Sequence, residues 1–76
     1  MEEKIRNAFV SAFAIDPSTF SLDFTPDEVR GWDSLGHLRL VAALQEQFQT
    51  EFEVDEVMQM EDVRKIIEVI SKKLNQ

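Results

Sequence analysis

The spacing of apolar residues predicts an α-helix at each end of the chain. Apolar side chains recur three and four positions apart near the start, at Ile5, Ala8, Phe9, Ala12 and Phe13. They recur in the same way near the end, at Val63, Ile66, Ile67, Ile70 and Leu74. Each set forms one apolar helical face, so we predict helices over roughly residues 2–14 and 62–74.

The middle of the chain predicts a further helix, over about residues 34–49, that carries two apolar stripes. The stripe expected to face the core contains Leu40, Val41, Leu44 and Phe48. The second stripe, well over a right angle away, contains Leu35, Leu38 and Ala42. Because a small bundle cannot easily bury both, two interpretations stay open. The preceding loop packs over the second stripe, or the stripe is exposed and docks a partner.

Two connections complete the predicted fold. Residues 15–33 form a long loop that contains both prolines, and three apolar side chains are expected to anchor it over the core. These anchors are Phe20, Leu22 and Phe24. A short helical turn is expected near Asp55 to Met58, held by Phe52, Val54, Val57, Met58 and Met60. The predicted fold class is all-α, a small helical bundle of three longer helices and one short helix, with the long loop between helices one and two.

Composition and charge narrow the possible functions. The chain has 76 residues, which fits a single domain over residues 1–76 with one modest core. Its formal net charge of −7 argues against nucleic-acid binding and favours basic protein partners. There is no cysteine, so no disulfide and no thiolate metal site are expected. No apolar run approaches the ~20 residues of a membrane span, and the start lacks the order of a signal peptide, so we expect a cytoplasmic protein without membrane insertion.

The stretch GWDSLGHLRL, residues 31–40, contains the candidate chemistry. Asp33 and Ser34 stand at the predicted start of the second helix, and both residue types are favoured N-caps. Together with His37 they are also the residue types of a hydrolase triad, but Asp33 adjoins Ser34 and nothing places it behind His37. His37 falls on the core-facing side, which favours a partly buried, hydrogen-bonded histidine. A third interpretation makes Ser34 an attachment point for a group that the chain does not contain.

The segment WDSLGHLRL, followed by AALQEQF, resembles the acyl carrier protein family. The length, the acidic composition, the long first loop, the Glu51-Phe52 pair and the short third helix agree with that family. The resemblance implies that Ser34 accepts 4′-phosphopantetheine from coenzyme A and that Asp33 is the acid before it. It implies a carrier rather than an enzyme, because the arm supplies the thiol that forms a thioester with the acyl group. A phosphodiester on Ser34 would also suit the positive end of a helix.

The resemblance also implies the partners. A phosphopantetheinyl transferase would load the arm, and acyltransferases, synthases or ligases with basic docking patches would use the loaded protein, which is expected to be a monomer. The residues expected to dock these partners are Leu35, Leu38, Arg39, Ala42, Glu46, Asp55 and Glu56.

The sequence departs from primary fatty-acid carriers just after the Asp-Ser-Leu motif. Those proteins usually have acidic residues there and further along the second helix, whereas this chain has Gly36, His37 and Arg39. The departure favours a carrier in a specialised lipid or polyketide-type pathway. Three alternatives stay open: a primary fatty-acid carrier, an aminoacyl or peptidyl carrier, and an unmodified helical interaction domain in which Ser34 is only a helix cap.

Overall fold

Four α-helices form the framework of the computed structural model, which describes residues 1–75. Their bounds are α1 Glu2–Phe13, α2 Ser34–Phe48, α3 Val54–Gln59 and α4 Val63–Leu74. Each begins and ends within about two residues of its predicted position, and no strand occurs among the described residues. The all-α prediction, with three longer helices and one short helix, is therefore confirmed. No helix in this part of the chain is long and apolar enough to cross a membrane.

The core lies between α1, α2 and α4. The fully buried large side chains are Ile5, Phe9, Leu40, Leu44, Met60, Val63, Ile66 and Ile70. The core stripe predicted for α2 is confirmed, because all four of its residues are buried. The face of α4 is rotated slightly from the prediction. Val69 is buried, Ile67 is only half-buried and Leu74 is exposed, because α4 packs on the bundle from one side.

The loop between α1 and α2 covers one side of this core. Two 3₁₀ turns, Pro17–Thr19 and Pro26–Glu28, divide it into short segments. The predicted anchors Phe20, Leu22 and Phe24 all pack against the core. The backbone is tied as well, since the Val63 N–H donates to the Phe24 carbonyl at 3.1 Å. The loop thereby fixes the position at which the chain enters α2.

The short helix α3 lies on the bundle without burying any of its residues completely. Of the side chains predicted to hold it, Met60 is buried and Phe52 and Val57 pack partly against the core. Val54 and Met58 do not, since 76% and 74% of their surfaces are exposed. The prediction was wrong for these two because a six-residue helix can turn only one narrow side inward.

Candidate functional site

Ser34 is the first residue of α2, and its side chain is exposed. The N-cap is Asp33, whose carboxylate accepts the Gly36 N–H at 2.8 Å. No hydrogen bond from the Ser34 hydroxyl occurs within residues 1–75. The two favoured capping residues therefore have different roles, and the interpretation of Ser34 as the helix cap is wrong.

Two glycines hold the loop tightly against the first turn of α2. Gly31 has φ +92°, a left-handed backbone conformation that residues with a side chain rarely adopt. A Cβ on Gly36 would lie 1.8 Å from the Gly31 carbonyl oxygen, so only glycine allows this contact. This contact was not predicted from the sequence. The signal was a glycine placed within a helix despite a cost of about 1 kcal/mol relative to alanine.

His37 forms a bridge rather than part of a catalytic triad. Its Nδ1 lies 2.9 Å from the Trp32 Nε1, and its Nε2 lies 3.0 Å from the Val57 carbonyl oxygen. Both ring nitrogens are therefore occupied, and the Asp33 carboxylate is bound to the helix backbone instead. The expectation of a partly buried, hydrogen-bonded histidine is confirmed, whereas its pairing with Trp32 was not predicted.

A surface groove of about 600 Å³ opens beside Ser34. Its lining includes Trp32, His37, Val57, Met58 and Met60, so it lies between the start of α2 and the α3 region. The apolar side chains on its walls suit an apolar or partly apolar occupant. Among residues 1–75 there is no group of three or more His, Asp or Glu side chains that could hold a metal ion.

The second stripe of α2 is exposed. Leu35 and Leu38 are 70% and 62% exposed, and Ala42 is also exposed, so the loop does not cover this face. Arg39 lies beside the stripe in solvent, with its guanidinium near the Gly31 turn. Of the two interpretations left open by the sequence, packing of the loop over the stripe is therefore wrong. A role in docking is compatible with this exposure.

The acidic residues expected near α3 differ in their surroundings. Asp55 is exposed, as is Glu46 on α2. Glu56 is partly buried, and its Oε1 accepts the Glu53 N–H at 2.7 Å and the Lys73 Nζ at 2.9 Å. These hydrogen bonds, the backbone one first, hold the pKa of the Glu56 carboxyl below its usual value of 4.5. Glu56 therefore fastens α3 to α4, and its carboxylate is not free in the way that Asp55 is.

Comparison with known proteins assigns the chain to a family. Residues 3–70 match the family described as "Phosphopantetheine attachment site". An acyl carrier protein from Campylobacter concisus (strain 13826) is 33% identical over 73 residues, which cover 92% of this chain and 95% of that protein. The chain belongs to the phosphopantetheine-binding acyl carrier proteins, as the resemblance in the sequence implied.

Membership of this family determines the general activity. The chain is a carrier and not a catalyst, and its prosthetic group is covalently attached 4′-phosphopantetheine. Its partners are a phosphopantetheinyl transferase and enzymes that handle acyl groups. The hydrolase interpretation is thereby excluded on two independent grounds, the family and the positions of His37 and Asp33.

Proposed function

We propose that Ser34 is the residue to which the 4′-phosphopantetheine arm is attached. The observation that carries the proposal is an exposed serine hydroxyl at the first position of α2 that forms no hydrogen bond within residues 1–75. Asp33 accepts the Gly36 N–H, and no acceptor within residues 1–75 bonds the N–H groups of Ser34 and Leu35, so these two stay available to phosphate oxygens at the positive end of the helix. When bound, the arm supplies a thiol on a flexible tether. The residues of this chain hold its phosphate and present it to partner enzymes.

Substitution of Ser34 tests this proposal directly. The protein is incubated with coenzyme A and a phosphopantetheinyl transferase, and its intact mass is measured. The parent should gain the mass of one phosphopantetheine unit, and Ser34→Ala should gain none. Ser11→Ala, which removes another exposed serine, is the matched control and should load like the parent. If Ser34→Ala still acquires the arm, attachment at this residue is disproved.

We further propose that the carrier serves a specialised lipid or polyketide-type pathway. Of the three residues that depart from the fatty-acid pattern after Asp-Ser-Leu, only Arg39 supports this proposal. Gly36 is buried against Gly31 and His37 is bonded to Trp32 and Val57, so both departures from the fatty-acid pattern have structural causes. Arg39 alone places a different charge on the surface of α2. A primary fatty-acid carrier and an aminoacyl or peptidyl carrier are the alternatives.

We assign partner docking to the exposed face beside Ser34. Its apolar centre is the second stripe of α2, which Arg39 and Glu46 flank on the same helix, and Asp55, exposed on α3, is proposed as a further contact. Exposed apolar groups surrounded by charges are typical of protein-binding surfaces. Glu56 was expected to contact partners, but in this proposal it stabilises α3 instead. The carrier is proposed to act as a cytoplasmic monomer, with residues 1–76 forming its single domain.

A further inference from the structure

The bridge through His37 is compatible with only one form of the imidazole. An indole N–H can only donate, so the His37 Nδ1 beside Trp32 must be an unprotonated acceptor. A backbone carbonyl can only accept, so the Nε2 beside Val57 must carry the proton. The two partners thus select the neutral ring with its proton on Nε2. A second proton would place two donors 2.9 Å apart, at Nδ1 and the indole nitrogen.

The orientation of the two rings supports this arrangement. The Trp32 and His37 rings are nearly coplanar, at 8°, and their centroids are 6.2 Å apart. At this separation the rings meet edge to edge through the hydrogen bond and do not stack face to face. The indole is fixed from its other side by Phe9, whose ring it meets at 80° with the centroids 5.1 Å apart. The Trp32 side chain is 7% exposed, so it provides a rigid end to the bridge.

The other end of the bridge is a weakly held element. None of the residues of α3 is fully buried, and two other polar ties join it, or the segment just before it, to the rest of the bundle within residues 1–75. They are the ion pair of Glu56 with Lys73 and the hydrogen bond from the Phe52 N–H to Gln45 Oε1, just before α3. The contact of His37 with the Val57 carbonyl is therefore the polar tie between the first turn of α2 and α3. Segments with few buried contacts open locally at low free-energy cost.

We propose that His37, in its neutral form, is a positioning residue for the modification of Ser34. By joining Trp32 to α3, it sets the width of the groove beside Ser34 and holds the first turn of α2 against the loop. Protonation of the ring breaks the bond to Trp32 and loosens the groove. This inference rests on the proposed attachment at Ser34, and it adds a device that makes the presentation of that serine sensitive to protons.

Two charged groups near His37 act against the selection of the neutral ring by its two hydrogen bonds. Asp33 at the start of α2 and Glu61 in the link between α3 and α4 line the same groove as His37. Both carboxylates would attract an imidazolium, so protonation of the ring alone does not identify the bridge. The identifying feature is coupling. The His37 ring and the Trp32 indole N–H should change together over one pH range, because they share one hydrogen bond.

Nuclear magnetic resonance tests this coupling in the parent protein. Trp32 is the sole tryptophan, so the spectrum contains one indole N–H signal. In the parent, this signal and the His37 ring signals should shift together as the pH of the sample is lowered. In His37→Gln, whose amide offers an acceptor and a donor in place of the ring nitrogens, it should stay constant. In His37→Leu it should lie at the unbonded position at every pH.

The loading reaction supplies the functional measurement. At about pH 8, His37→Leu should load with a kcat/KM lower by on the order of tenfold, through misplacement of Ser34, and His37→Gln should remain close to the parent. The ratio of the parent's kcat/KM to that of His37→Gln should fall as the pH is lowered. Because the same transferase loads both proteins, this ratio cancels the pH dependence of the transferase itself. The parent and His37→Gln both keep a bridging side chain, so this comparison holds even if His37→Leu does not fold.

The outcomes separate this inference from the proposed function. A parent that fails to load refutes attachment at Ser34, whatever His37 does. A parent that loads, together with a His37→Leu variant that folds and loads equally well at every pH, overturns the positioning role. The role is also overturned if the indole signal of the parent matches that of His37→Leu at pH 8.

Discussion

At the scale of single residues, neighbouring residues at the start of α2 have separate roles. Asp33 caps the helix, Ser34 leaves its hydroxyl in solvent, and Gly36 lets the loop approach. No side chain has to serve two purposes, because the cap bond goes to the residue before the serine. This arrangement keeps Ser34 fixed in position while it remains chemically free, as an attachment point requires.

The contact between Gly36 and Gly31 gives a prediction with a defined sign. Gly36→Ala should gain up to about 1 kcal/mol of helix propensity. It should lose more, because the new Cβ meets the Gly31 carbonyl oxygen and the backbone must move, and overpacking of this kind costs about 1–3 kcal/mol or more. The net effect is a lower free energy of unfolding, measured by urea denaturation.

An exposed site on the same helix provides the matched control for this substitution. Ala42→Gly introduces no clash and should destabilise by about 1 kcal/mol through propensity alone. Comparison of the two variants separates propensity from packing. A Gly36→Ala variant that unfolds at a higher urea concentration than the parent would show that the loop does not press on α2.

At the scale of elements, α3 depends on polar ties because it buries so little. Glu56 accepts the Glu53 N–H, which closes a capping box at the start of α3, and it also pairs with Lys73 on α4. One carboxylate therefore both begins the helix and fastens it to the bundle. Because these bonds favour the ionised form, the folded state lowers the pKa of Glu56 below 4.5.

This lowered pKa predicts a pH-dependent contribution to stability. A group with a depressed pKa in the fold stabilises it fully above its unfolded pKa, and this contribution is lost as pH falls through the folded pKa. Glu56→Gln should therefore be less stable than the parent near neutral pH, and the difference should shrink below about pH 4.5. Urea midpoints at several pH values measure this change. Glu46→Gln, on an exposed part of α2, is the matched control, and near neutral pH its urea midpoint should lie close to that of the parent.

The elements themselves could be predicted from the sequence, and their contacts only in part. The period of apolar residues placed α1, α2 and α4, because burial of one helical face is a strong and regular signal. The loop anchors Phe20, Leu22 and Phe24 were also predicted, because a lone short strand would have no partner in a helical chain. The outward directions of Val54 and Met58 were missed, since so short a helix has too few residues to establish a face.

The residues of the candidate site also differ in how far the sequence could predict them. Ser34 and Asp33 stand in a local motif, so the resemblance was enough to propose both. The bridge from Trp32 to Val57 joins residues 25 positions apart, through a histidine between them, and depends on how α3 lies on the bundle. The close approach of Gly31 and Gly36 likewise requires the path of the loop. In the sequence, tertiary contacts of this kind are visible only as single unusual residues, which do not identify their partners.

At the scale of the whole molecule, an acidic protein presents a basic side chain, Arg39, on the helix that begins with its proposed modification site. The formal net charge of −7 attracts basic partners at long range. Arg39 is exposed on α2 and forms no ion pair within residues 1–75. A partner that approaches α2 with a basic patch therefore meets local repulsion within a generally attractive field. This combination would favour partners that offer an acidic group at that point.

Reversal of this charge gives the test of the proposed pathway. The measurement is turnover of the loaded protein by a fatty-acid synthase acyltransferase at two salt concentrations. We expect this acyltransferase to approach α2 with a basic patch, so the parent should be a poor substrate and Arg39→Glu a better one. The gain should be larger at low salt, because high salt screens the repulsion. Leu38→Ala should lower turnover at both salt concentrations, because it removes apolar contact rather than charge. If Arg39→Glu changes nothing at low salt and the parent already equals a primary fatty-acid carrier, the proposal of a specialised pathway fails, while attachment at Ser34 is unaffected.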